Sequence, residues 1–288
     1  MTMTANTHAA RLPVTRQALQ WRLMVLWMVA LLLPTLMLII PLWRGLAAAL
    51  DHSLYASQWA HQLDAIVIAD VLNSLGDSGF AIGQAGVTAL LLTLLLSPFL
   101  SGTVITAARA STRPGFAELI QGGVREYGRL LRMLLWSALP LGVAAGLGAL
   151  GMHWAKDFGE KAILESDVQM VGRIALAVMI VLLLLAHLTV DAGRAQFALF
   201  RNRTSAIKAW WNGLKTLRQH FWRMLGSYVL LSAVGLGLAL VITALRVALP
   251  QLDVGWTLIG LALAELAVAT VVWMKIARLL ALIQQSRH

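Results

Sequence analysis

Glu265, set within Leu261-Ala262-Leu263-Ala264-Glu265-Leu266-Ala267, is an ionisable side chain in the middle of an apolar run. At mid-membrane depth such a group costs several kcal/mol unless it is paired, so it is the first place to look for chemistry. Arg246, one turn from the outer end of the preceding apolar stretch, and Arg173 are the candidate partners. Two readings stay open: a structural ion pair or protonated, hydrogen-bonded carboxyl, and a proton- or cation-coupling site. A second constellation is His187, Asp191 and Arg194, at i, i+4 and i+7 on one helix face. It suits a proton relay or a capped, salt-bridged helix end.

Other chemistry fails on inventory. Cysteine is absent, which removes disulfides, thiolate metal ligands and a cysteine nucleophile. The seven histidines are scattered, no two on one helix face, so neither a metal nor a cofactor is expected. Asp191-Ala192-Gly193-Arg194-Ala195 resembles the start of the motif of lipid-head-group phosphotransferases, but the two downstream aspartates that would bind metal are missing. No aspartate-rich pair for prenyl transfer and no Ser-His arrangement with an oxyanion glycine motif occurs. The chain reads as a non-enzyme.

The elements that must carry these residues are set by lipid. With 59% hydrophobic and 12% charged residues and a mean hydropathy of +0.76, the chain lies outside the range of soluble domains, where about 25% of residues are charged. Six apolar stretches, residues 24–43, 87–108, 133–154, 171–188, 227–249 and 256–274, have the length that about 30 Å of hydrocarbon requires. The loops between them sort by charge, with 18 basic residues against three acids on one side and five against nine on the other. Basic loops stay in the cytoplasm, which places both termini there. Trp43, Trp154 and Trp256 mark one headgroup layer, and Trp21, Trp210, Trp222 and Trp273 the other. The net charge of +10 follows from the same bias, and without a soluble basic domain no nucleic acid is expected.

The expected organisation is a cytoplasmic segment over residues 1–23, one membrane domain over 24–280 and a cytoplasmic tail over 281–288 in a bacterial inner membrane. The first stretch is too long for an ordinary signal-peptide core, so it reads as an uncleaved helix despite the small residues Ala47 to Ala49. Spans two to five look like one unit written twice in the same orientation. Thr106-Ala107-Ala108-Arg109-Ala110 corresponds to Asp191-Ala192-Gly193-Arg194-Ala195, Arg132-Met133-Leu134 to Arg223-Met224-Leu225, and Gly123 to Gly213. Each unit carries an amphipathic cytoplasmic helix. The first has Phe116, Leu119, Ile120, Val124, Tyr127, Leu130 and Leu131 on its apolar side and Arg125 and Arg129 on its polar side. The second pairs Ile207, Trp210, Trp211, Leu214 and Leu217 with Lys208, Lys215 and Arg218. Such helices elbow the next span into place or dock on the anionic inner leaflet.

Small residues predict close packing, at Gly142, Gly146 and Gly148 and at Ser97 and Ser101, and Pro34, Pro98 and Pro140 predict kinks. Outside the membrane, Trp59, Leu63, Ile66 and Val67 predict a short helix with Asp64, Asp70 and Asp77 in water.

The repeated run of an Arg-flanked amphipathic helix into a membrane helix, with Gly213 and the Phe221-Trp222-Arg223-Met224-Leu225-Gly226 junction, resembles the six-helix membrane domain of some bacterial glycerophosphodiester phosphodiesterases and its free-standing relatives. It covers about residues 87–280. In that family the hydrolase lies in a separate soluble barrel that this chain has no room to encode. The resemblance therefore implies a membrane module without catalysis of its own.

The whole reads as an all-α polytopic membrane protein with six transmembrane helices, two interfacial helices and a parallel pseudo-repeat. The expected role is a non-catalytic scaffold or accessory subunit of a membrane assembly, with a membrane protein partner and anionic lipid as its company. The alternative is a small transporter or lipid-handling protein that uses Glu265 and Arg246.

Overall fold

The computed structural model describes residues 18–50, 79–162, 164–201, 204–249 and 254–287. The short helix expected around Trp59 to Val67, with Asp64, Asp70 and Asp77, lies outside them. Among the described residues there are seven helices: α1 (Trp21–Leu50), α2 (Gly79–Arg109), α3 (Phe116–Gly159), α4 (Glu165–Leu199), α5 (Ala206–Gln219), α6 (Phe221–Ala248) and α7 (Val254–Gln285). Six of them, all but α5, are long and apolar enough to cross a membrane. The protein is a multi-pass, all-helical membrane protein by that measure.

The expected spans are embedded in longer helices. α3 runs for 44 residues, about 66 Å at 1.5 Å per residue, so the segment from Phe116 and the span after it are one unbroken rod. Arg132-Met133-Leu134 explains this locally, since all three are good helix formers and no glycine or proline separates the segments. The second pair does break. His220, with φ −124° and ψ 35°, ends α5 and begins α6. α7 continues to Gln285, and Ala281, Leu282 and Ile283 are buried. The apolar run Leu279 to Ile283 simply keeps the helix packed.

The chain forms two compact units, Met1–Val25 with Pro98–His288 and Leu26–Ser97. In the smaller unit, α1 and the first half of α2 expose Val29, Leu33, Ile40, Val87 and Leu91. Pro34 and Pro41 lie inside α1 without ending it.

In the larger unit α4 is the hub, packed against α3, α5 and α7. Its core gathers at the arginine-rich end: Leu188, Val190, Ala192, Ala195 and Phe197 of α4 meet Leu119, Leu130 and Met133 of α3 and Ile276, Leu280 and Ile283 of α7, all buried. Towards the other end Leu147, Leu150, Leu240, Val241 and Val247 stay exposed, as apolar residues facing hydrocarbon do.

Glycines set the helix spacing there, though not all the expected ones. A Cβ on Gly102 would lie 3.0 Å from the Gly123 backbone, and one on Gly213 would lie 2.6 Å from the backbone of Ala192 and Gly193. α2 therefore crosses α3, and α5 crosses α4, at backbone contact. Gly142 and Gly146 face open space, because α3 turns Ala144 and Gly148 towards its neighbours; only Gly148, against Met179 of α4, is tightly packed. The close approach of α2 and α3 expected at Gly142 and Gly146 is made by Gly102 and Gly123 instead.

Candidate functional site

Charge collects at the arginine-rich end in two clusters. The first is centred on Asp191, a residue only 6% exposed on α4. Its Oδ1 accepts from Arg194 at 3.0 Å, one turn on. Its Oδ2 accepts from the Tyr228 hydroxyl at 3.2 Å and from Arg278 at 3.5 Å. Tyr228 and Ser232 stand four residues apart on one face of α6, so a single guanidinium from α7 serves both. Arg278 donates to Ser232 Oγ at 3.2 Å and lies 4.3 Å from the centre of the Tyr228 ring, a cation–π distance. The Ser232 hydroxyl donates in turn to the Tyr228 carbonyl at 2.7 Å. One carboxylate thus joins α4, α6 and α7, with two guanidiniums sharing its charge. Arg278 Nε is buried without a hydrogen-bond partner.

The second cluster is centred on Glu126, which faces inward on α3 at 3% exposure. Arg109, the last residue of α2, donates to Glu126 Oε1 at 2.7 Å, and Arg129 pairs with Oε2. Both arginines reach further. Arg109 donates to the carbonyls of Ala198, at 2.9 Å, and Phe197; Arg129 donates to that of Arg201 at 2.7 Å and lies over the Phe197 ring. Arg132 reaches the Thr204 carbonyl at 3.4 Å. Phe197 and Ala198 belong to the last turn of α4, whose carbonyls have no partner within the helix and carry its negative dipole end. Guanidiniums supply both the hydrogen bonds and the charge that such an end needs. At the end of α2, Arg287 caps the Ala108 carbonyl in the same way, at 3.0 Å.

Of the residues expected to form a site, the structure joins Asp191 and Arg194 and leaves His187 exposed on α4. It does not join Glu265 to either arginine. Arg246 donates to the Gly260 carbonyl at 3.1 Å, Arg173 is exposed near the start of α4, and Glu265 is half-buried with no ion pair among the described residues. Five residues separate Gly260 from Glu265, so Arg246 is held more than a turn short of the carboxylate.

Among the residues expected at the lipid interface, Trp211 is 62% exposed and Lys208, Lys215, Arg218 and Arg125 are exposed. Trp210 is half-buried, donating to Thr189 Oγ1 at 3.2 Å with its ring edge-on to Trp136. Arg129 is turned inward to Glu126, because Leu119, Gly123, Glu126, Leu130 and Met133, alternately four and three residues apart, form the buried face of α3. That spacing is visible in the sequence and was the signal for Glu126. Arg278, Tyr228 and Ser232 had no local signal, since they sit 37 to 87 residues from Asp191.

Comparison with known proteins gives no family model, no curated protein and no solved structure that matches this chain. The residues alone carry the reading.

Glu126→Gln keeps the side-chain volume and removes the charge that two guanidiniums share. It is expected to lower stability by about 1–3 kcal/mol, read from unfolding in detergent micelles. A variant as stable as the parent would show that Arg109 and Arg129 hold the end of α4 without the carboxylate.

Proposed function

We propose that this chain is a non-catalytic integral protein of a bacterial inner membrane, working as a scaffold or accessory subunit, with its termini and arginine-rich end in the cytoplasm. One observation carries the reading: Asp191 and Glu126 are each consumed by arginines that tie helices together or close helix ends. Polar groups spent on neighbours in this way lock an arrangement of helices. The resemblance to the membrane region of glycerophosphodiester phosphodiesterases accords with such a module, and the excess of basic residues at one end accords with its orientation.

The transporter alternative rests on Glu265, half-buried in α7 with no ion pair among the described residues. Glu265→Gln separates the two. For a scaffold, affinity capture from nanodiscs returns the same partner subunits in the same ratio, and proteoliposomes of the parent and the variant show no difference in proton or solute flux. An unchanged partner set with flux lost in the variant would establish the transporter and refute the scaffold. Protease protection supplies the orientation: cleavage near Lys215 from the cytoplasmic face is expected, and cleavage from the opposite face would invert the topology.

A further inference from the structure

A cleft of about 370 Å³ opens between the start of α6 and the end of α7, at the arginine-rich end. On α6 its wall is Arg223, Ser227, Leu230 and Leu231, at i, i+4, i+7 and i+8, one helix face descending about 12 Å from a cation to bare aliphatic surface. On α7 the polar end is completed by Gln284 and Gln285. Gln285 and Ser227 exchange hydrogen bonds, at 3.0 and 3.3 Å, which fixes the two helices at the mouth. Arg223 is exposed and forms no ion pair among the described residues. Next to Arg223, Trp222 is 81% exposed, an indole placed where a headgroup layer would receive it. Leu230, two turns along, is 63% exposed.

We propose that this cleft binds one anionic phospholipid, its phosphodiester at Arg223 and an acyl chain along Leu230 and Leu231. The chemistry is divided in the order a lipid needs, cation and amides at the mouth, then aliphatic surface in the direction of the hydrocarbon. The unneutralised guanidinium selects a headgroup of net negative charge. The inference rests on α6 and α7 crossing the bilayer and not on the scaffold role, so loss of the lipid with an unchanged partner set leaves that role standing.

The test reconstitutes the full chain in vesicles of mixed phosphatidylglycerol and phosphatidylcholine, extracts it in mild detergent and counts retained lipids by native mass spectrometry. The parent is expected to keep one phosphatidylglycerol in preference to phosphatidylcholine. Arg223→Gln is expected to lower that retention about fivefold, while Arg113→Gln, the same charge change on the loop between α2 and α3, leaves it unchanged. Leu231→Trp fills the cleft without altering charge and is expected to abolish retention, which keeps the test open should the arginine variant fail to fold by circular dichroism. Equal retention of both lipids by the parent, equal loss in the two arginine variants, or parental retention in Leu231→Trp would each overturn the site.

Discussion

Asp191→Ala is expected to lower the unfolding free energy by about 3–5 kcal/mol, the cost of stranding buried charge after one partner is removed. Arg194 and Arg278 both aim at this carboxylate, with side chains 16% and 14% exposed, and neither has another acid within ion-pair reach among the described residues. Water cannot replace the missing charge at such burial, and the Tyr228 hydroxyl loses its acceptor as well. Because the polar atoms of this one side chain join α4, α6 and α7, the loss should appear as earlier separation of α7 when the protein is titrated with a denaturing detergent. Arg278→Met in the same background is expected to recover part of the deficit, since an apolar side chain of similar length removes the stranded charge. A single-variant cost below about 1 kcal/mol would mean that the cluster is solvated and ties nothing together.

The second large effect concerns a glycine. Gly213→Ala adds one methyl group to an α5 position and, by helix propensity alone, should stabilise it by about 1 kcal/mol. At Gly213 the new Cβ would lie 2.6 Å from the Ala192 carbonyl carbon and from the Gly193 nitrogen, and backbone atoms cannot rotate away. α5 must then lift off α4, loosening Ala209 and Leu217 from the buried face. Overpacking of this kind costs about 1–3 kcal/mol, so the clash outweighs the propensity gain and the net sign is destabilising. Gly128→Ala on α3 is the counterpart: its Cβ meets nothing within 4 Å, and the variant is expected to be neutral or up to about 1 kcal/mol more stable. Thermal unfolding followed by tryptophan fluorescence reads both, with the Trp136 and Trp210 pair as a local reporter. Should the two variants behave alike, the backbone contact between α4 and α5 would be wrong.

Hydropathy, summed over windows of about 20 residues, is a local property, and it was enough to read six spans and an all-helical class from the sequence. The face of α3 that carries Glu126 was legible in the same way, since its buried residues stand alternately four and three apart. Charge asymmetry between loops is equally local, and it supplied an orientation for the proposal. Tertiary structure alone decided what each charge does. Arg109 ends α2, yet it closes α4, 88 and 89 residues away; Arg278 finds Asp191 across 87. Arg246 settles on the Gly260 carbonyl and not on Glu265. Likewise, which glycines lie at crossings depends on the rotation of each helix about its own axis, so Gly123 and Gly213 are packed while Gly142 and Gly146 face outward. A side chain three or four residues along the same helix is placed by helix geometry, whereas one on another helix is placed by how two rods pack, and no window along the chain contains that information.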